Sequence, residues 1–175
     1  MYLSKKGFTL VELLFGLAIV MLLIGLAAPT FQSIIQEQQV RSAVISLASS
    51  LQLARVESIK RNRPVLVDNE NGDWSSGWIV YVDLNRDGRP DPGEPVIQRE
   101  PPLAAQVVVN SNRPIRRYVR YTANGRTKMN SGAFQAGTFW VCHLSGNVSR
   151  RKIIISASGR ARRDVEPAGP CSITP

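Results

Sequence analysis

Residues 83–94 read DLNRDGRPDPGE, and Asp83, Asn85, Asp87, Gly88 and Glu94 fit the calcium-loop pattern D-x-[DN]-x-[DN]-G-x5-E, with Asp91 as a further oxygen donor. Calcium is the one cofactor these residue types raise. An EF-hand, however, needs a helix on each side of the loop. Here the flanks read WIVYVD and PVIQR, short runs of β-forming residues. Pro90 and Pro92 also restrict the backbone where such loops turn freely. The competing reading is a hairpin tip whose Asp and Asn side chains accept backbone amides. The flanks favour the tip, so no metal and no cofactor is assigned.

The second constellation is cationic. In GTFWVCHLSGNVSRRKIIISASGRARR, Arg150, Arg151 and Lys152 open an extended run, and Arg160, Arg162 and Arg163 follow it. Alternation along an extended backbone puts Arg160 and Arg162 on one side. Arg126 and Lys128, in NGRTKMN, extend the patch if the fold brings them near. Arginine's planar fork donates two hydrogen bonds to one pair of phosphate oxygens, so the chemistry offered is phosphate binding. The plain alternative is solvated charge guarding an edge strand against aggregation.

Charge is unevenly placed along the chain. Residues 111–175 hold 12 Lys or Arg against Asp164 and Glu166, a net of +10 (12 − 2), and residues 8–110 hold 8 basic and 11 acidic residues, a net of −3 (8 − 11). Partners of the C-terminal half are therefore expected to be anionic, nucleic acid, lipid headgroups or an acidic protein; the alternative reading is charge for solubility with no partner. Nucleophilic, metal and phosphate-loop enzyme classes find no support. His143 is the single histidine, and there is no Ser/His/Asp set, no Gly-rich phosphate loop and no Cys/His metal spacing.

The chain opens MYLSKKGFTLVELLFGLAIVMLLIGLAAPTF. From Phe8 to Ala28 the only charge is Glu12, and 21 residues at about 1.5 Å each span a bilayer's hydrocarbon layer. Lys5 and Lys6 precede the run, which keeps the N-terminus cytoplasmic and sends the rest across the membrane. A cleavable signal peptide fits poorly, because the run is long and Pro29 follows the small pair Ala27–Ala28. Glu12 needs a partner from outside its own segment, since an unpaired carboxylate there costs roughly 2.5–3.5 kcal/mol. In an exported chain the two cysteines, Cys142 and Cys171, are expected to form one disulfide.

KKGFTLVELL resembles the processing site of type IV pilins and type II secretion pseudopilins. By that resemblance the prepilin peptidase cuts after Gly7, Phe8 becomes the N-methylated terminus, and Glu12 pairs with the amine of Phe8 on a neighbouring subunit during assembly. Over essentially the whole chain the sequence is similar to the GspH/FimT family of minor pilins and pseudopilins. FimT-like members carry a G-R-x-R motif associated with DNA binding in natural transformation, and Gly159-Arg160-Ala161-Arg162 matches it. The paired cysteines are similar to those of FimU-like members, which prime pilus assembly.

The expected fold is α+β: a pilin-like long N-terminal helix, transmembrane in one half and amphipathic in the other, packed against a β-rich head. Residues 1–7 are the leader, 8–28 the membrane segment, 29–63 the amphipathic continuation and 64–175 the head. Pro29 is expected to bend or loosen the helix without ending it. Val40, Val44, Leu47, Leu51 and Ala54 mark the buried face, and Pro64 stops the helix at Arg63. Strands are expected at 65–67, 78–82, 96–99, 107–109, 118–122, 138–142 and 153–157. The resulting expectation is a minor type IV pilin of the inner membrane, with its head in the periplasm and later in a surface filament. Its partners are other pilins, the prepilin peptidase, the membrane and DNA. Rival readings are a purely structural priming subunit and a secretion pseudopilin.

Overall fold

The computed structural model describes residues 7–171, with backbone only for residues 26–30. Helix α1, Leu10–Arg61, begins where the Thr9 hydroxyl accepts the amide of Glu12 at 3.3 Å, satisfying one of the donors a helix start leaves open. The helical backbone continues through position 29. The helix ends at Arg61, two residues earlier than expected. Asn62 adopts a left-handed conformation (φ 51°), and the amide of Arg63 closes back on the carbonyl of Ser58 at 3.2 Å. That arrangement is a helix-ending motif in its own right, reached before the proline acts.

The chain divides into two compact units, residues 1–35 and 36–175. In the first, the apolar side chains of residues 10–25 are solvent-exposed. Among the described residues no helix is long and apolar enough to cross a membrane. The helical part of the apolar run with described side chains covers residues 10–25, short of the ~20 residues a bilayer takes. Of the leader, residues 1–6 lie outside the described residues.

In the second unit, α1 from residue 36 onward packs against two four-stranded antiparallel sheets. One has the order β3-β2-β1-β5, with β1 Val65–Asp68, β2 Trp78–Val82, β3 Val96–Glu100 and β5 Tyr118–Tyr121. The other has the order β4-β6-β7-β8, with β4 Val107–Ser111, β6 Gly137–His143, β7 Ser149–Ile155 and β8 Ala161–Ala168. Val40, Val44, Leu47, Leu51 and Ala54 are all buried, together with Ala43. They meet alternate residues of both sheets, among them Val65, Val67, Trp78, Val80, Phe139, Val141, Ile153 and Ile155. This period-2 match to the helical stripe makes the core. Truncating a fully buried leucine there, such as Leu47→Ala, costs about 2–5 kcal/mol.

The continuous apolar character of β2 has a separate cause. Ile79 and Tyr81 point away from the helix and join Leu66 in a second buried cluster. Asn130 of the residue 127–135 hairpin reaches the carbonyl of Asp87 in the residue 83–95 loop at 3.2 Å, so the two loops meet.

β8 is absent from the expected strands. Its sequence, ARRDVEPA, is exposed along nearly its whole length and shows no apolar alternation. It forms because β7 offers a free edge, with Arg150 opposite Glu166, Lys152 opposite Asp164 and Ile154 opposite Arg162. Pro167, which lacks an amide donor, is tolerated because β8 is the outer strand. Thus β7 is an interior strand, and the cations at 150–152 do not guard an edge.

Candidate nucleic-acid interface

Cross-strand register sorts the basic residues onto two faces. Ile153 and Ile155 turn toward the core, so their partners Arg163 and Ala161 face the helix side of the sheet. Ile154 faces away, and with it Arg162. Arg163 lines two cavities against the helix: one of about 360 Å³ with Arg41, Val44 and Ile45, the other of about 380 Å³ with Ala48, Ser49 and Gln52.

Arg150, Arg151 and Lys152 are committed within the head. Arg150 pairs with Glu166 at 3.4 Å and donates to the carbonyl of Pro170 at 3.1 Å. Lys152 takes the other oxygen of the same Glu166. Arg151 crosses to Glu37 on α1, an ion pair that fastens β7 to the helix.

Arg160 and Arg162 differ. Both are exposed, and neither has a carboxylate partner among the described residues. Arg160 sits in the β7–β8 turn, closed by the Ser156 amide on the Arg160 carbonyl at 3.1 Å and the Gly159 amide on Ser156 at 2.8 Å. Beside this turn lies a second one, residues 122–126, in which the Thr122 amide meets the Arg126 carbonyl at 2.9 Å. The two are joined through Thr127. Its amide donates to Ala157 at 3.3 Å, and its buried hydroxyl lies 3.0 Å from the carbonyl of Ser156. The fold therefore brings the Arg126 segment to the Arg160 turn, a proximity invisible in the sequence. Arg126 stands over the exposed ring of Phe134, 5.5 Å from its centre, and is likewise unpaired among the described residues. Lys128, half-buried, bridges to Phe134 across the same hairpin.

The disulfide forms as expected. Cys142 of β6 is bonded to Cys171, with Cα atoms 5.7 Å apart, and encloses β7, β8 and the turn between them. Closing a loop of this length stabilises by roughly 3–4 kcal/mol. His143, buried beside it, holds its own turn by accepting the Ser145 amide at 3.1 Å.

The residue 83–94 loop lies between strands β2 and β3 and spends its oxygens on itself. Asn85 accepts the Asp87 amide at 3.1 Å, Asp87 accepts the Arg89 amide at 2.8 Å, and Glu94 accepts the amides of Leu84 and Asp91 at 2.7 and 3.2 Å. Asp91 accepts the side-chain amide of Asn85 at 2.8 Å. Asp83 is buried, with its nearest countercharge, Arg120, at 3.9 Å. Burial pushes its carboxyl above the usual carboxylate range, against the pull of the Arg86 amide and Arg120. Among the described residues no group of three His, Cys, Asp or Glu could hold a metal ion.

At the N-terminus Phe8 is exposed, and the Glu12 carboxylate has no ion-pair partner among the described residues.

Residues 43–159 match the family model described as type II transport protein GspH, and residues 3–28 match the prokaryotic N-terminal methylation motif. The pilin-like protein PilA1 of Thermus thermophilus is 36% identical over 91 residues, which is 52% of this chain and 56% of that protein; the chain thus spans about half the length of the curated relative it matches. In backbone the chain is similar to two crystal forms of the type IV minor pilin FimU of Pseudomonas aeruginosa. The first has a TM-score of 0.57 at 22% identity, covering 77% of this chain and 95% of that one. The second has a TM-score of 0.54 at 22% identity, covering 75% and 98%.

Proposed function

The chain belongs to the GspH family and has the pilin fold, and from that premise we propose that it is a minor type IV pilin whose head binds DNA during uptake. The observation that carries this reading is the set of three exposed arginines without carboxylate partners among the described residues: Arg160 and Arg126 at two turns held together by Thr127, and Arg162 at the start of β8. Arg150 and Lys152 flank them but share the single carboxylate of Glu166, which ties both side chains down and offsets one of the two charges, so they modulate the surface rather than form it.

The match to the N-terminal methylation motif supports the assembly steps we propose. Prepilin peptidase cuts between Gly7 and Phe8, Phe8 is methylated, and residues 8–28 anchor the chain in the inner membrane with the head in the periplasm. Glu12, whose carboxylate has no ion-pair partner among the described residues, then pairs with the terminal amine of an adjacent pilin, removing the cost of a lone charge in lipid.

The test is titration of duplex DNA into the full chain in nonionic detergent at several salt concentrations. Binding should be indifferent to sequence, with a log–log salt slope of about −2.7 for three phosphate contacts. Arg160→Ala with Arg162→Ala should bring the slope to about −1. Absence of binding at low salt, or an unchanged slope in the double variant, rejects the DNA reading. The family description, type II transport, favours a secretion pseudopilin as the second reading. That role is distinguished by loss of protein export rather than loss of surface pili on deletion.

A further inference from the structure

A separate part of the head, using none of those arginines, is built with unusual rigidity. Residues 114–117 have four consecutive carbonyls, each held by a donor from a buried residue. Gln135 Nε2 donates to Pro114 at 2.8 Å, Trp74 Nε1 to Ile115 at 3.1 Å, Asn69 Nδ2 to Arg116 at 3.0 Å and the Asn69 amide to Arg117 at 3.1 Å. Asn69 also accepts the amide of Gly72 through Oδ1 at 3.0 Å. One buried side chain thus bonds two separate segments, at Gly72 and at Arg116, that line a cavity of about 430 Å³ together with Arg113 and Arg117.

The three arginines are exposed and form no ion pair among the described residues. The carboxylate in the cavity wall, Glu70, is taken by Arg99 at 2.6 Å. Asp68, buried behind, partly offsets Arg117 but spends Oδ1 on the Glu70 amide at 2.6 Å. Like charges converging on one cavity repel one another, and charge for solubility alone needs no locked backbone. Rigid presentation of several guanidinium forks instead lowers the cost of ordering them around an anion. Tyr118 and Met129 complete the lining with apolar surface. The volume falls in the range of pockets for small organic ligands.

We infer that this cavity is a second anion site, taking a phosphate ester of nucleotide size, with phosphate oxygens on Arg113, Arg116 and Arg117 and the organic part against Tyr118 and Met129. The phosphate comes either from a free nucleotide or from a nucleic-acid backbone.

Full chain in nonionic detergent is titrated calorimetrically with inorganic pyrophosphate, thymidine diphosphate and a ten-nucleotide single strand. Pyrophosphate and thymidine diphosphate should each bind once per chain. Arg116→Gln with Arg117→Gln should weaken both by about tenfold or more, the effect of losing charge-assisted hydrogen bonds. Arg160→Gln with Arg162→Gln should leave them unchanged, which keeps this test apart from that of the DNA reading. With Arg160→Gln and Arg162→Gln in the background, so that the other proposed site does not hold the strand, a larger loss for thymidine diphosphate than for the oligonucleotide on adding Arg116→Gln and Arg117→Gln assigns a free nucleotide as the source, and the reverse assigns the backbone. The inference is overturned if neither pyrophosphate nor thymidine diphosphate binds, or if the variant, folded by circular dichroism, keeps full affinity. It is also overturned if a polyglutamate peptide binds as tightly, which would assign the cavity to an acidic protein. Should the double variant not fold, Arg113→Gln alone provides the same comparison.

Discussion

Gly159 lies directly against Gly125: a Cβ built on Gly159 would stand 2.0 Å from the Gly125 carbonyl oxygen. This approach of two backbones brings the Arg160 turn to the Arg126 turn, and Gly159 also has a left-handed φ of 79°. Gly159→Ala therefore meets both a clash and an unfavourable conformation, and the turns must separate. The expected loss is about 2 kcal/mol or more by thermal or denaturant unfolding. DNA affinity should fall although no arginine is touched.

Glu166 holds both Arg150 and Lys152. Glu166→Gln keeps the size of the side chain and frees two cations beside the proposed interface. DNA binding should tighten, and the salt slope should steepen from about −2.7 toward about −4.5 as up to two phosphates are added. A slope that does not move would place Arg150 and Lys152 away from the DNA path.

The carboxyl of Asp68 is raised chiefly by burial, opposed by its bond from the Glu70 amide and by the charge of Arg117. A carboxyl raised in the folded state makes that state bind more protons than the unfolded one. Its stabilisation is present below the unfolded pKa of about 3.9 and is lost as pH rises through the folded value. Asp68→Asn keeps an acceptor for the Glu70 amide and removes the titration. Between mild acid and pH 7 the melting temperature of the variant should change less than that of the parent chain, measured by circular dichroism; parallel curves would contradict this. Asp83, raised by burial in the same direction, is expected to behave alike on substitution by Asn.

Reduction of the Cys142–Cys171 bond, or Cys171→Ser, should lower stability by roughly 3 kcal/mol through the freed loop. The same treatment should leave the helix content of residues 10–61 in place, because most of the core the helix packs into, Val65, Val67, Trp78, Val80, Phe139 and Val141, lies outside the loop. Far-UV circular dichroism with and without reductant reads both effects.

Glu12→Ala should leave the chain in the membrane fraction and keep cleavage after Gly7, yet deplete it from sheared filaments. The lone carboxylate contributes only when it meets a neighbour's amine. Filament fractions blotted for the head check this, and undiminished incorporation would remove the role given to Glu12.

Local chemistry determined much of this protein. The helical stripe Val40, Val44, Leu47, Leu51 and Ala54, the seven strands with apolar runs and the strand-flanked turn at residues 83–94 were legible because each is written in spacing within one segment, and the Cys142–Cys171 pair because an exported chain with two cysteines has one pairing to make. Tertiary structure alone decided the rest. β8 has no apolar alternation of its own and exists because β7 presents an unpaired edge. Which arginines stay unpaired depended on Glu166 and on Glu37, residues near in space and far in sequence. The arginine run at 113–117 gave no hint of a cavity, since its shape comes from Asn69, Trp74 and Gln135, brought together only when both sheets close on the helix. Charge and periodicity are properties of a segment, whereas a partner's position is a property of the fold.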